Sequence, residues 1–137
     1  MKTVCHRWET SGDIMVSFTV KLIPDEDFDL FIKAMKSNSI KRFVSMSVGI
    51  VEASSVQRKQ AADIFKALDC VVAVVTDERL VRGMVTALAW LGVPRISAFS
   101  HDESDQALTF VGIVSPQERA TALGMIKRLQ KTADGAR

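Results

Sequence analysis

Two short segments of this chain hold side chains whose types and placing could do chemistry. The first is Glu52-Ala53-Ser54-Ser55, where an apolar alternating run gives way at once to helical spacing. Hydroxyls at a helix N-terminus lie beside unpaired backbone N–H groups and the positive end of the helix dipole. Such a place can hold an anion or accept a phosphate, so Ser54 and Ser55 are candidates for phosphorylation or partner binding. Their plainer use is structural: a serine here normally caps the helix by accepting from a backbone N–H two or three residues on. The second segment is Thr76-Asp77-Glu78-Arg79, leading into Arg82-Gly83. It ends a valine-rich run, the position where ligands sit in parallel sheets, so Thr76, Asp77 and Arg82 are candidates for ligand or partner binding. Here too a structural use is at hand, with Asp77 as the helix cap and Arg82 paired to Glu78 one turn earlier.

Other reactive residues lack company. Cys5-His6 resembles a ligand pair, yet His101 is the only other histidine and no Cys-x-x-Cys occurs, so no metal site is expected. Cys70 opens an apolar strand and reads as a buried free thiol, in keeping with a reducing cytosol. His101 stands in HDESD, a charged loop tip. Trp90 falls on a helix flank and reads as a core or interface anchor. GxGxxG, P-loop, GxSxG and HExxH patterns are all absent. No catalytic residue is assigned, no cofactor is expected, and the reading is of a protein that is not an enzyme. An enzyme built on Asp77 or His101 would need the fold to bring those two into one open pocket.

The elements that must position these residues follow from periodicity. Arg7 to Thr10 forms a short edge strand and Ser11-Gly12-Asp13 a turn. Ile14, Val16, Phe18, Val20 and Leu22 then alternate with Met15, Ser17, Thr19 and Lys21, the pattern of a half-buried strand paired as a hairpin with the first. Acidic Asp25-Glu26-Asp27 starts a helix with the stripe Phe28, Phe31, Ile32 and Met35, closed by Ser37-Asn38-Ser39. Phe43 to Val51 is a second alternating strand. The next helix has core positions Ala61, Ile64, Phe65 and Leu68, and its Ser54 and Gln57 fit a capping box. Val71 to Val75, a helix with Leu80, Val81, Met84, Val85, Leu88 and Leu91 on one face, and Ile96 to Phe99 make a strand–helix–strand unit. Asp102 or Ser104 caps a turn carrying Ala107, Leu108 and Phe110. Ser115-Pro116-Gln117-Glu118 opens a last amphipathic helix, spanning 115–132, with Leu123, Ile126 and Leu129 on one face. Thr132 to Arg137 is expected to fray. The whole is an α/β fold in one domain, 1–137: a mixed sheet of an N-terminal hairpin plus parallel strands, flanked by helices.

Composition narrows the partners. With 18 Lys and Arg against 16 Asp and Glu, the net charge of +2 is too small to suggest nucleic acid; the basic residues are scattered and no Tyr is available to stack on bases. The first nine residues lack the apolar stretch of a signal peptide, and no run approaches the ~20 apolar residues that span a bilayer. A cytoplasmic location without a membrane span is expected.

Element order and local wording together carry a resemblance. A strand pair followed by alternating helices and strands, AVVTD at 73–77, VRGMVTALAWLG at 81–92, and Ala98-Phe99 before an acidic turn and Ala107-Leu108 resemble the STAS domain family. The likeness runs from about Arg7 to Val111, and is to anti-sigma factor antagonists and the STAS branch sometimes grouped with Sec14-like lipid carriers. The resemblance implies a regulatory domain that works by protein–protein contact, with a regulator or kinase as partner. In the antagonists a serine at the start of the helix after a central strand is phosphorylated to block binding, and Ser54 and Ser55 hold that place. Where they usually carry Asp-Ser-Ser-Gly, this chain has Ala53-Ser54-Ser55-Val56. The last helix is an addition to the family order, and its amphipathic face suits a partner or a homodimer contact. The alternative is a module that binds a small molecule or lipid.

Overall fold

A computed structural model describes residues 6–20, 23–49 and 53–135, with side chains as far as Lys131. Gly12 takes a φ of 57°, which glycine adopts without strain, and turns the chain between β1 (His6–Ser11) and its antiparallel partner β2 (Ile14–Thr19). The chain then alternates through α1 (Asp25–Ser37), β3 (Arg42–Ser47), α2 (Ser55–Ala67), β4 (Val71–Val75), α3 (Arg79–Trp90) and β5 (Ile96–Phe99). A 3₁₀ turn at His101–Glu103 leads into α4 (Ser104–Phe110) and α5 (Pro116–Gly135). Strand order is β1-β2-β3-β4-β5, and β2 to β5 are all parallel. The expected α/β architecture is therefore present: a hairpin, then parallel strands, with helices on both sides.

Each crossover steps to the next strand in the same direction. Right-handed connections then place α1, α2 and α3 on one face. Phe28, Phe31 and Met35 of α1 and Ala61, Ile64 and Phe65 of α2 pack there against Met15, Phe43 and Val72. Ala107 and Leu108 of α4 and Ala122, Met125, Ile126 and Leu129 of α5 cover the other face, over Val16, Val44, Met46 and Ala73. With both faces covered, β2 is buried along its whole length. The expected half-buried strand is thus corrected: Met15, Ser17 and Thr19 point into protein, not water.

Several local expectations change. The last helix is not an appendage with a free face, since its apolar residues close the second core. Leu123 is 40% exposed, and its place in the stripe goes to Ala122 and Met125. Helical backbone continues through Gly135, past the expected fraying point. On α3, Val81 and Val85 are buried, while Leu80 is 66% exposed, Leu91 lies outward and Trp90 is 87% exposed. Trp90 is nine residues beyond Val81, roughly two and a half turns, and so on the opposite side. Ser100 caps the 3₁₀ turn, its hydroxyl and backbone N–H both bonding Glu103, and α4 itself starts after Glu103 with no side-chain cap, so neither Asp102 nor Ser104 plays that part. β3 ends at Ser47, ahead of Gly49 with φ 73°. Cys5, Lys21, Leu22 and 50–52, named in the sequence reading, lie outside the described residues.

At the amino ends of the parallel strands, Arg42 ties three segments together. Its Nη2 donates to Asp13 at 2.6 Å and to Glu118 at 2.7 Å, and Nη1 also reaches the Gly112 carbonyl. These bonds, led by the one to Glu118, strengthen the guanidinium's hold on its proton, and Arg42 in turn keeps the Glu118 carboxyl below its ordinary range. Glu118 therefore supplies half of the expected capping box: its backbone N–H donates to Ser115 Oγ, but its carboxylate turns to Arg42.

Candidate functional site

The sheet face beneath α1, α2 and α3 is graded in polarity, because strand register aligns like with like. One row across it reads Met15–Phe43–Val72–Ile96. The next, nearer the carboxyl ends of the parallel strands, reads Trp8–Ser17–Ser45–Val74. The last reads His6–Thr19–Ser47. Serine and threonine leave room that leucine or phenylalanine would fill, and the helices do not close over it. Ser45 and Val74, in the middle of the sheet, keep accessible surface.

The result is a cavity of about 110 Å³. Phe28, Phe31, Phe43 and Phe65 wall its apolar part, Val81, Val85 and Leu88 of α3 form the opposite side, and half-buried Ala53, Arg58 and Met84 lie at its margin. The aromatic walls touch in series: Phe31 lies 5.5 Å from Phe28 and 5.4 Å from Phe43, and Phe43 lies 5.7 Å from Phe65, between ring centres.

Among the described residues, four buried side-chain polar atoms have no hydrogen-bond partner: His6 Nε2, Ser17 Oγ, Ser47 Oγ and Gln57 Oε1. All four residues line this one cavity. Buried polar groups are nearly always paired, since each unpaired one costs roughly 1–3 kcal/mol. Four of them gathered around one space is the arrangement expected where a ligand or ordered water completes the bonding.

The surroundings fix these atoms in place. His6 Nδ1 lies 2.8 Å from Thr19 Oγ1, and its ring packs edge-on against Phe31 at 5.3 Å. Burial pushes the imidazole down to about 4, with Asp27 pulling the other way, so His6 is neutral at pH 7. Gln57 Nε2 donates to the Ile23 carbonyl at 2.8 Å and to Asp25 Oδ1 at 2.9 Å. Both partners are acceptors, which fixes the amide orientation and leaves Oε1 as the free end. Gln57 does not complete a capping box, because its side chain is spent on the start of α1.

Ser54 is the N-cap of α2, accepting from Gln57 N at 3.0 Å, and both Ser54 and Ser55 are exposed. Thr76 is fully buried and its hydroxyl accepts from Glu78 N. Asp77 does not cap α3; its carboxylate accepts from the backbone N–H of His101 at 3.1 Å. Arg82 turns back to the Thr76 carbonyl at 3.4 Å instead of pairing with Glu78. Asp77 and His101 do share an open groove with Ser47 and Gly49. However, the imidazole Nε2–H donates to the Ser47 carbonyl at 2.9 Å, and Asp77 grips main chain, so the two are not arranged as an acid–base pair. His101 is a brace between strand ends, not a loop tip. Cys70 is buried, and desolvation pushes its thiol up to about 12, which keeps it an unreactive thiol. Among the described residues, no cluster of His, Cys, Asp or Glu is placed to hold a metal, and no helix is long and apolar enough to cross a membrane.

The cavity escaped the sequence reading, which took the strand of Ser17 and Thr19 as half-buried and gave Ser45 and Ser47 no role. The usable signal was their place on strands followed by crossover helices, which are covered on both faces. No protein-family model and no curated protein matches the chain.

Proposed function

We propose that this chain is a non-enzymatic binding domain that encloses a small molecule between its sheet and helices α1 to α3. The observation that carries this reading is the convergence of four unpaired polar atoms on one aromatic-walled cavity. Its volume supports a compact ligand over a lipid, since drug-sized ligands occupy roughly 300–1,000 Å³ and an apolar cavity of about 150 Å³ accepts benzene. Titration of ¹⁵N-labelled protein with a fragment library tests the reading. Hits are expected to shift the amides of Ser17, Ser45, Gln57 and Val81 together, and Ser45→Leu, which fills the space, is expected to abolish them. A library without hits, or hits that survive Ser45→Leu, would overturn it.

A second reading, a STAS-like regulatory domain acting by protein contact, draws on a different surface. Trp90, beside Ser55, Gly83 and Leu91, is 87% exposed on α3, and Leu80 and Val56 are exposed on α3 and α2. Ser55 shares a groove there with Arg58 and Lys59, cations that would favour a phosphate on it. Incubation with cell extract and labelled ATP, followed by mass spectrometry, tests this switch; no phosphate on Ser54 or Ser55 counts against it.

A further inference from the structure

The bonding capacity around the cavity says what kind of molecule belongs in it, an inference that rests on the binding reading above. Gln57 decides the polarity. Its Nε2 faces two acceptors, the Ile23 carbonyl and Asp25 Oδ1, so Oε1 accepts and cannot be exchanged for the N–H₂ by an amide flip. A ligand that satisfies Oε1 must bring a donor. The Ser17 and Ser47 hydroxyls can accept or donate, and the remaining His6 nitrogen does whichever its bond to Thr19 leaves it. The site thus has one obligatory acceptor and three adaptable groups.

Charge is disfavoured in either sense. An anion would meet Gln57 Oε1 and the negative field of the nearby start of α1, where Asp25 is bonded to Gln57 and Asp27 acts on His6. Among the described residues, the one cation along the wall, Arg58, is held at the margin by its bond to the Ala53 carbonyl at 2.6 Å. A cation would feel the same two carboxylates only from outside the cavity, since neither Asp25 nor Asp27 lines it, and would exchange its hydration for neutral lining groups. Size and walls complete the picture. Four phenylalanines around about 110 Å³ suit a single flat ring.

We infer that the cavity takes an uncharged, single-ring molecule bearing a hydrogen-bond donor, of the phenol or aromatic N–H class, with the donor on Gln57 Oε1 and the ring between the phenylalanines and α3.

Phenol, toluene, benzoate and benzylammonium, titrated separately into the intact protein and followed by NMR, test the class, with dissolved xenon as a probe of space alone. Phenol is expected to bind roughly 5- to 150-fold more tightly than toluene, the effect of pairing one buried acceptor. Benzoate and benzylammonium are expected to bind more weakly than either. Gln57→Met should erase the phenol preference; should that variant not fold, the ranking in the unaltered protein still decides. Xenon shifting the methyls of Val72, Val81 and Val85 while toluene equals phenol, or while a charged probe binds best, would overturn the ligand class and leave the binding site standing. No response of those methyls to xenon or to any ring would overturn the binding site itself and leave a closed or merely hydrated cavity.

Discussion

Acid should destabilise this fold through His6 in a way that one substitution can isolate. The imidazole titrates near 6.5 when unfolded and near 4 when folded, because burial beside Phe31 and Trp8 disfavours its charged form. Between those values the unfolded chain binds more protons, so stability rises with pH across the window and is lost as pH falls through it. Working the two-state linkage from pH 7.5 to 4.5 gives a loss of roughly 2–3 kcal/mol from this one residue. With a urea slope of about 2 kcal/mol/M, the unfolding midpoint would move by more than about 1 M. Carboxylates titrate in the same range; Glu103 and Glu118 are held low by Ser100 and Arg42, respectively, and add their own acid sensitivity. The measurement is therefore a difference. Urea unfolding, followed by tryptophan fluorescence at both pH values, is compared for the wild type and His6→Asn, whose amide sits where Nδ1 meets Thr19 but does not titrate. The wild type should lose roughly 2–3 kcal/mol more than the variant. Parallel losses in the two proteins would refute the account of a neutral, desolvated His6, as would an imidazole resonance titrating near its ordinary value.

Further outcomes follow from the same geometry. Ser17→Ala, which removes an unpaired buried hydroxyl, should leave the free protein as stable or up to about 1 kcal/mol more stable in urea melts while weakening any cavity ligand. Arg42→Met should lower the unfolding midpoint by cutting the links to Asp13 and Glu118, and added salt should narrow its gap to the wild type. Trp90→Ala should change stability by less than about 0.5 kcal/mol, since the indole is almost wholly in water; a larger loss would mean that it packs against something in solution. In a Cys5→Ser background, the Cys70 thiol should react with a thiol reagent at pH 8 only as fast as the protein opens, and added urea should speed the reaction.

Local pattern dictates the elements and their order, because periodicity, Gly12, Ser54, Ser115 and Pro116 act within a turn or two of chain. The valine run at 71–75, followed by three- and four-residue spacing, required a parallel strand–helix–strand unit wherever it lay in the molecule. Ser54 as the cap of α2 was legible for the same reason. What no local pattern could decide was which way each face looks. Ser17 and Ser45 alternate with apolar neighbours as an outward face would, and only the crossover of three helices onto their side turned them inward. The same layering exposed Trp90 and Leu80 and buried one face of the last helix. His6, Ser17, Ser47 and Gln57 stand up to 51 positions apart; strand register and the docking of α2 bring them around one cavity. The candidate site is therefore a property of register and layer packing, forces that act between elements, and a single chain records them only indirectly.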